Sequence, residues 1–203
     1  MKGAQKPLPD ELEIVVGLEA EGYEWECDEW GWGYHHLKDD ALEMILKLRS
    51  IAFLDLFESC EGGGTTDAGL AHLTGNTSLI CLRLGPGITD AGLVHLEGLT
   101  QLTELRLDNA DGVTDAGMQS VVRLKNLDNL SIQFTGVGDA GLETLRELSH
   151  LQHLEVAATK VTDASIPRLI QFQKLTRLTV TYSGVTPQGI ELLRSALPLC
   201  RID

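Results

Sequence analysis

Thr66-Asp67-Ala68-Gly69-Leu70 is the stretch on which the fold turns, because it comes back. It returns intact as Thr89-Asp90-Ala91-Gly92-Leu93, then as Thr114-Asp115-Ala116-Gly117-Met118, Gly138-Asp139-Ala140-Gly141-Leu142, Thr162-Asp163-Ala164-Ser165-Ile166 and Thr186-Pro187-Gln188-Gly189-Ile190. Successive copies are 23, 25, 24, 24 and 24 residues apart. A fixed period in this range means a stack of similar units, each too small to bury its apolar face alone.

Outward from each copy the pattern is equally regular. Strand-like segments precede the copies: Ile51-x-x-Leu54-x-Leu56, Leu79-x-x-Leu82-x-Leu84, Leu102-x-x-Leu105-x-Leu107, Leu127-x-x-Leu130-x-Ile132, Leu151-x-x-Leu154-x-Val156 and Leu175-x-x-Leu178-x-Val180. A shortened seventh is Leu197-x-x-Cys200-x-Ile202. The last two apolar residues of each are two apart, the period of a strand with one buried face. After the turn the spacing lengthens, as in Leu93, Leu96, Leu99, which predicts a helical segment. Thr and Asp at the changeover are good N-cap residues, and the following glycine lets neighbouring coils approach. Aligning Asp39 with Asp90 brings Leu42, Ile45, Leu48 and Ile51 onto the same frame, so the repeats begin near residue 37.

This combination, Leu-x-x-Leu-x-Leu, a small polar residue and Val/Ile-Thr-Asp-Ala-Gly-Leu, resembles the leucine-rich repeat family. It is most similar to the branch that includes cysteine-containing repeats of F-box receptors and bacterial TDAGL proteins. The resemblance implies an α/β fold, a right-handed leucine-rich repeat solenoid with a parallel concave sheet and convex helices. About six full repeats with degenerate ends would occupy residues 37–203. Where many members carry Asn or Cys in the turn, Thr135, Thr159 and Ser183 supply hydroxyls for the same bonds. Two turns depart from the pattern: the stretch from Phe57 to Thr66 is longer and holds Gly62-Gly63-Gly64, and Gly85-Pro86-Gly87 is shorter.

Residues 1–36 read as an N-terminal helix and β-hairpin cap. Pro9 followed by Asp10 and Glu11 opens like a helix. Residues 23–34 hold half of the chain's ten aromatic residues. A two-residue hairpin at Asp28-Glu29 would pair Cys27 with Trp30, Trp25 with Trp32 and Tyr23 with Tyr34, and a longer loop with the same facing residues is equally compatible. This aromatic segment either covers the first core layer or, through Trp25, Trp30 and Trp32, offers a second binding surface.

The net charge of −14 is unevenly spread: residues 1–40 hold eleven acids against three bases. No basic footprint for nucleic acid exists, an anionic membrane surface would repel the chain, and no signal-type or membrane-spanning apolar run is present. Four cysteines without CxxC spacing suit reduced thiols in a cytoplasm. No cofactor is implied. His72 with His95, and His150 with His153, fall short of a metal site, and the triple glycine lacks the Lys of a phosphate loop. No nucleophile, base and orienting acid come together as a catalytic motif.

Residues between the strand leucines point away from the core. The candidate partner-binding face is therefore Phe53, Asp55, Phe57, Arg83, Glu104, Arg106, Asp108, Gln133, His153, Glu155 and Arg177, with Phe134 and Tyr182 at the rim. Its mixed charges suit a protein partner, although Glu104, Arg106, Asp108 and Arg83 would also satisfy one another. The expected function is a monomeric, non-enzymatic protein-interaction module. The alternatives are an acidic inhibitor of immunity type and, because Leu8-Pro9-Asp10-Glu11-Leu12 resembles the start of an F-box, a substrate-recruiting adaptor.

Overall fold

The computed structural model describes residues 26–27, 33–34, 39, 42, 51–57 and 65–203. Seven strands form one parallel sheet in sequence order: β3 (Phe53–Leu56), β4 (Cys81–Leu84), β5 (Glu104–Arg106), β6 (Asn129–Ser131), β7 (His153–Glu155), β8 (Arg177–Thr179) and β9 (Arg201–Ile202). Their register is strict. Leu54, Leu82, Leu105, Leu130, Leu154, Leu178 and Ile202 are partners from strand to strand, so one row of aliphatic side chains runs the length of the core. The apolar residues of strands and helical segments merge into a single buried cluster from Leu42 to Ile202. This is the solenoid that the repeat implies.

The convex segments are shorter than ordinary helices. Asp67–Leu70 and Asp90–Leu93 are single α-turns that tighten at once into the 3₁₀ turns Ala71–Leu73 and Val94–Leu96. The spacing Leu93, Leu96, Leu99 explains this, since a step of three keeps side chains on one face of a 3₁₀ helix. Among the described residues the final helix, Pro187–Ala196, is the long exception.

The repeated pentapeptide works between coils as well as within them. Thr66, Thr89 and Thr162 are N-caps, each hydroxyl accepting from the N–H of the alanine two residues on. The aspartate, expected as a second cap, instead reaches forward to the next coil. Asp39 accepts from Thr66 N–H (2.9 Å) and Thr66 Oγ1 (2.6 Å). Asp67 binds Thr89 in the same two ways (2.8 and 2.6 Å), and Asp90 binds Thr114 (2.8 and 2.6 Å). Asp139 repeats the pair with Thr162 (2.9 and 2.7 Å), and Asp163 with Thr186 (2.8 and 2.7 Å). Where Gly138 replaces threonine no hydroxyl is available, and Asp115 accepts from Gly138 N–H (2.6 Å) and Gly141 N–H (2.9 Å).

This ladder explains the glycine of the motif. A Cβ on Gly69, Gly92, Gly117 or Gly189 would run into the carboxylate of Asp39, Asp67, Asp90 or Asp163, and on Gly141 it would lie 2.6 Å from Asp115 Oδ1. The fifth copy has Ser165 there, and Ser165 Oγ donates to Asp139 Oδ1. Burial works against the charge on Asp139, yet bonds from Ser165 and from the Thr162 amide and hydroxyl outweigh it and hold the carboxyl below its ordinary value. In the sixth copy Pro187 stands where aspartate would be, and the ladder stops.

The turn hydroxyls behave as the resemblance implies. Thr135, Thr159 and Ser183 donate to the carbonyls of Ile132, Val156 and Val180 (2.7, 2.7 and 2.6 Å) and accept from Val137, Val161 and Val185.

In the N-terminal region β1 (Glu26–Cys27) and β2 (Gly33–Tyr34) are antiparallel, but the register differs from the expected one. Glu26 lies opposite Tyr34 and Cys27 opposite Gly33, with residues 28–32 between the strands. This pairing is that of neither the two-residue turn at Asp28-Glu29, whose residues lack the left-handed preference such a turn demands, nor a longer loop with the same facing residues. The predicted helix after Pro9, the cap and the three tryptophans lie outside the described residues.

Candidate functional site

The strand alternation that buries the leucines turns the intervening residues outward. Phe53 and Asp55 lie on β3, Arg83 on β4, Glu104 and Arg106 on β5, His153 and Glu155 on β7, and Arg177 on β8. Phe57, Asp108, Gln133, Phe134 and Tyr182 follow their strands directly. All of these residues are exposed or half-buried. Parallel register assembles them into rows: Phe53, Cys81, Glu104, Asn129, His153, Arg177 and Arg201 form one, and Asp55, Arg83, Arg106, Ser131, Glu155 and Thr179 the next.

The centre of the face is a connected polar network. Arg106 Nε donates to Asp108 Oδ2 (3.2 Å), and its Nη2 stands 3.7 Å from Glu155 Oε2, two strands away. That reach is possible because Ser131, on the strand between, is small and fully buried; its hydroxyl donates to Asp108. Gln133 Nε2 donates to Ser131 Oγ (3.3 Å) and to Glu155. Neither Arg83 nor Glu104 joins Arg106 and Asp108, as their charges had suggested: Glu104 accepts from Cys81 instead. Arg83 pairs with Asp55 on the preceding strand, Nη1 to Oδ2 at 2.8 Å, because the two are register partners. The self-pairing of face charges is therefore real but divided.

Cys81 is the register neighbour of Glu104. Burial, followed by the adjacent Glu104 carboxylate, which accepts its S–H, pushes the thiol up to about 11. At neutral pH it stays protonated and is a poor nucleophile. Cys81 and Cys200 are both free thiols.

Beyond the strands, Asn109, Phe134, Ala158 and Tyr182 occupy one equivalent position, and all four have left-handed backbone (φ 64°, 55°, 53° and 59°). Asparagine suits that region, whereas a bulky ring does not. Ala158 and Lys160 were not singled out by the sequence. The signal for Lys160 was present, since it stands where adjacent coils have Gly136 and Gly184.

His150 Nδ1 lies 3.3 Å from Lys174 Nζ, away from His153 on β7. Among the described residues no group of three or more His, Cys, Asp or Glu forms a metal-binding cluster. Among them too, no helix is long and apolar enough to cross a membrane. Trp25, Trp30 and Trp32 cannot be compared with the sheet, since they fall outside the described residues.

No family model and no curated protein matches the sequence. Solved structures do. An internalin of Listeria monocytogenes aligns with 22% identity and a TM-score of 0.61, over 79% of this chain and 49% of that one. A leucine-rich repeat protein of Leptospira interrogans aligns with 25% identity and a TM-score of 0.54, over 78% of this chain and 38% of that one. The chain thus spans half or less of the length of these proteins, and what they share with it is the leucine-rich repeat fold.

Proposed function

We propose that this leucine-rich repeat chain is a non-catalytic interaction module that holds a protein partner against its concave sheet. The observation that carries the reading is where its exposed aromatics lie. Among the described residues, Phe53, Phe134 and Tyr182 are the aromatic members of the exposed large hydrophobic residues, and all three sit on the sheet or at its strand ends. Aromatic anchors amid polar groups of both signs are the composition of protein-binding surfaces, and a face without an excess of one sign does not suit a polyanion. In this reading the module is monomeric, residues 37–203 form the binding unit, and residues 1–36 cover its first coil.

The test is capture of partners from native lysate by the wild type, by Arg106→Glu/Phe134→Ala and by Trp30→Ala/Trp32→Ala, each first shown to be folded by circular dichroism. A specific partner lost with the first pair alone places binding on the sheet. Loss with the second pair alone moves binding to the N-terminal aromatics, and retention by both variants sinks the concave reading.

A further inference from the structure

The aromatics at the strand ends support a more specific assignment, which rests on the concave-face reading. Phe134 and Tyr182 are exposed to 53% and 89%, so burial does not compensate for their left-handed backbone. Asparagine fills the same place at Asn109 without that strain. Stability alone does not account for two bulky rings in this column.

Their spacing is informative. Backbone bonds Phe134 N–H to Ala157 O (3.0 Å) and Ala158 N–H to Thr181 O (2.9 Å) carry the ladder through this position, so the two rings lie on alternate coils with Ala158 between. Two strand spacings separate the ring-bearing residues by roughly 10 Å, and a group centred over Ala158 is about 4.8 Å from either wall. That falls at the near end of the separation at which aromatic rings pack offset or edge to face, about 4.5–7 Å. The short side chain of Ala158 leaves the space open.

One cation without an acidic partner stands beside this space. Lys160 is exposed, follows Ala158 by two residues and has glycine at the equivalent place in both neighbouring coils. It makes no ion pair among the described residues. The same half of the face carries His153, Arg177 and Arg201 in register, and the two arginines share one carboxylate, Asp203. Residues 110–203 hold ten acids against nine bases, so the acidity of the whole chain does not extend to this half.

We propose that Phe134, Ala158 and Tyr182 form a slot that receives an aromatic side chain from an extended acidic segment of a protein partner, with Lys160 meeting the adjoining carboxylate. The probe is a fluorescent peptide, Asp-Glu-Trp-Glu-Asp with blocked ends, titrated with the full-length chain and followed by anisotropy. Its comparators are the same peptide with alanine for tryptophan and the basic peptide Lys-Lys-Trp-Lys-Lys. Phe134→Asn/Tyr182→Asn removes both walls while suiting the backbone, so the fold is kept and a loss of binding is not a loss of structure. Binding of the acidic tryptophan peptide should weaken about tenfold with these walls gone, the equivalent of two aromatic contacts. Ala158→Tyr should block the slot, Ala158→Gly should leave it open, and Lys160→Glu should weaken the acidic peptide while helping the basic one. No binding of the acidic peptide, equal binding of the basic one, or binding that survives the asparagine pair would overturn the assignment. Binding that survives the asparagine pair but disappears with Arg106→Glu overturns the slot alone and leaves the sheet as the binding face.

Discussion

Asp90→Ala is the substitution that tests the inter-coil ladder most directly. The Asp90 carboxylate is half-buried and takes two bonds from the next coil, Thr114 N–H at 2.8 Å and Thr114 Oγ1 at 2.6 Å. A hydrogen bond to a charged group contributes about 1.5–3 kcal/mol, and the partial access of water to this pair brings the two together to about 2–4 kcal/mol. For a chain of this size each kcal/mol moves the melting temperature by about 2–4 °C, so a fall of about 5–15 °C is expected. Asp163→Ala removes the same two bonds from an exposed pair and should cost less. Urea denaturation followed by circular dichroism measures both, and hydrogen exchange at the Thr114 amide locates the effect. Because Thr114 also caps its own coil through Ala116 N–H (3.3 Å), the interaction is isolated by a cycle with Thr114→Ala. A coupling of about 1 kcal/mol is expected for side chains in direct contact. An Asp90→Ala protein within about 0.5 kcal/mol of wild type, the range of ordinary surface changes, would refute the ladder as a source of stability.

Two further outcomes follow from the same geometry. Gly92→Ala should destabilise more than Gly92→Ser, because an alanine methyl only crowds Asp67 whereas a serine hydroxyl can donate to it, as Ser165 does to Asp139; thermal melts of the two proteins decide this. Alkylation of Cys81 by iodoacetamide should be slow at neutral pH, and its rate should rise about tenfold per pH unit until about 11, the thiol's value in the fold; a plateau near pH 9 would show that burial and Glu104 do not restrain it.

The legible part of this structure was periodic. Leucines two apart announced the buried face of each strand, and their fixed recurrence announced parallel register, so the outward residues could be named without coordinates. Even the degenerate first repeat was readable: Asp39, aligned with Asp90 by spacing, bonds Thr66 as Asp90 bonds Thr114. Less legible were the contacts that cross between coils at unequal offsets. Thr-Asp reads locally as a cap, and nothing within five residues reveals that the carboxylate serves the neighbour some 24 residues later. Arg83 found Asp55 rather than Glu104 because register, not charge, chose its partner. Backbone handedness was hidden too. Left-handed positions usually advertise themselves through Gly or Asn, and here Asn109 did so while Phe134 and Tyr182 concealed theirs. The hairpin register failed for a related reason, since it depends on a turn whose sequence does not dictate its length.

The forward reach of the aspartate has a consequence for how such a chain can grow. A tandem copy of one coil brings one threonine to answer the carboxylate before it and one aspartate to offer to the coil after it. Duplication therefore leaves every bond of the ladder answered, whatever the number of coils, and an internal copy of residues 89–113 should be accepted with the sheet simply one strand longer. A copy of the coil that carries Pro187 is different. It answers Asp163 through Thr186 but offers nothing onward, so the threonine of any coil placed after it would lose its partner. The motif thus behaves as a grammar with a direction, in which five copies invite a successor and the sixth declines one.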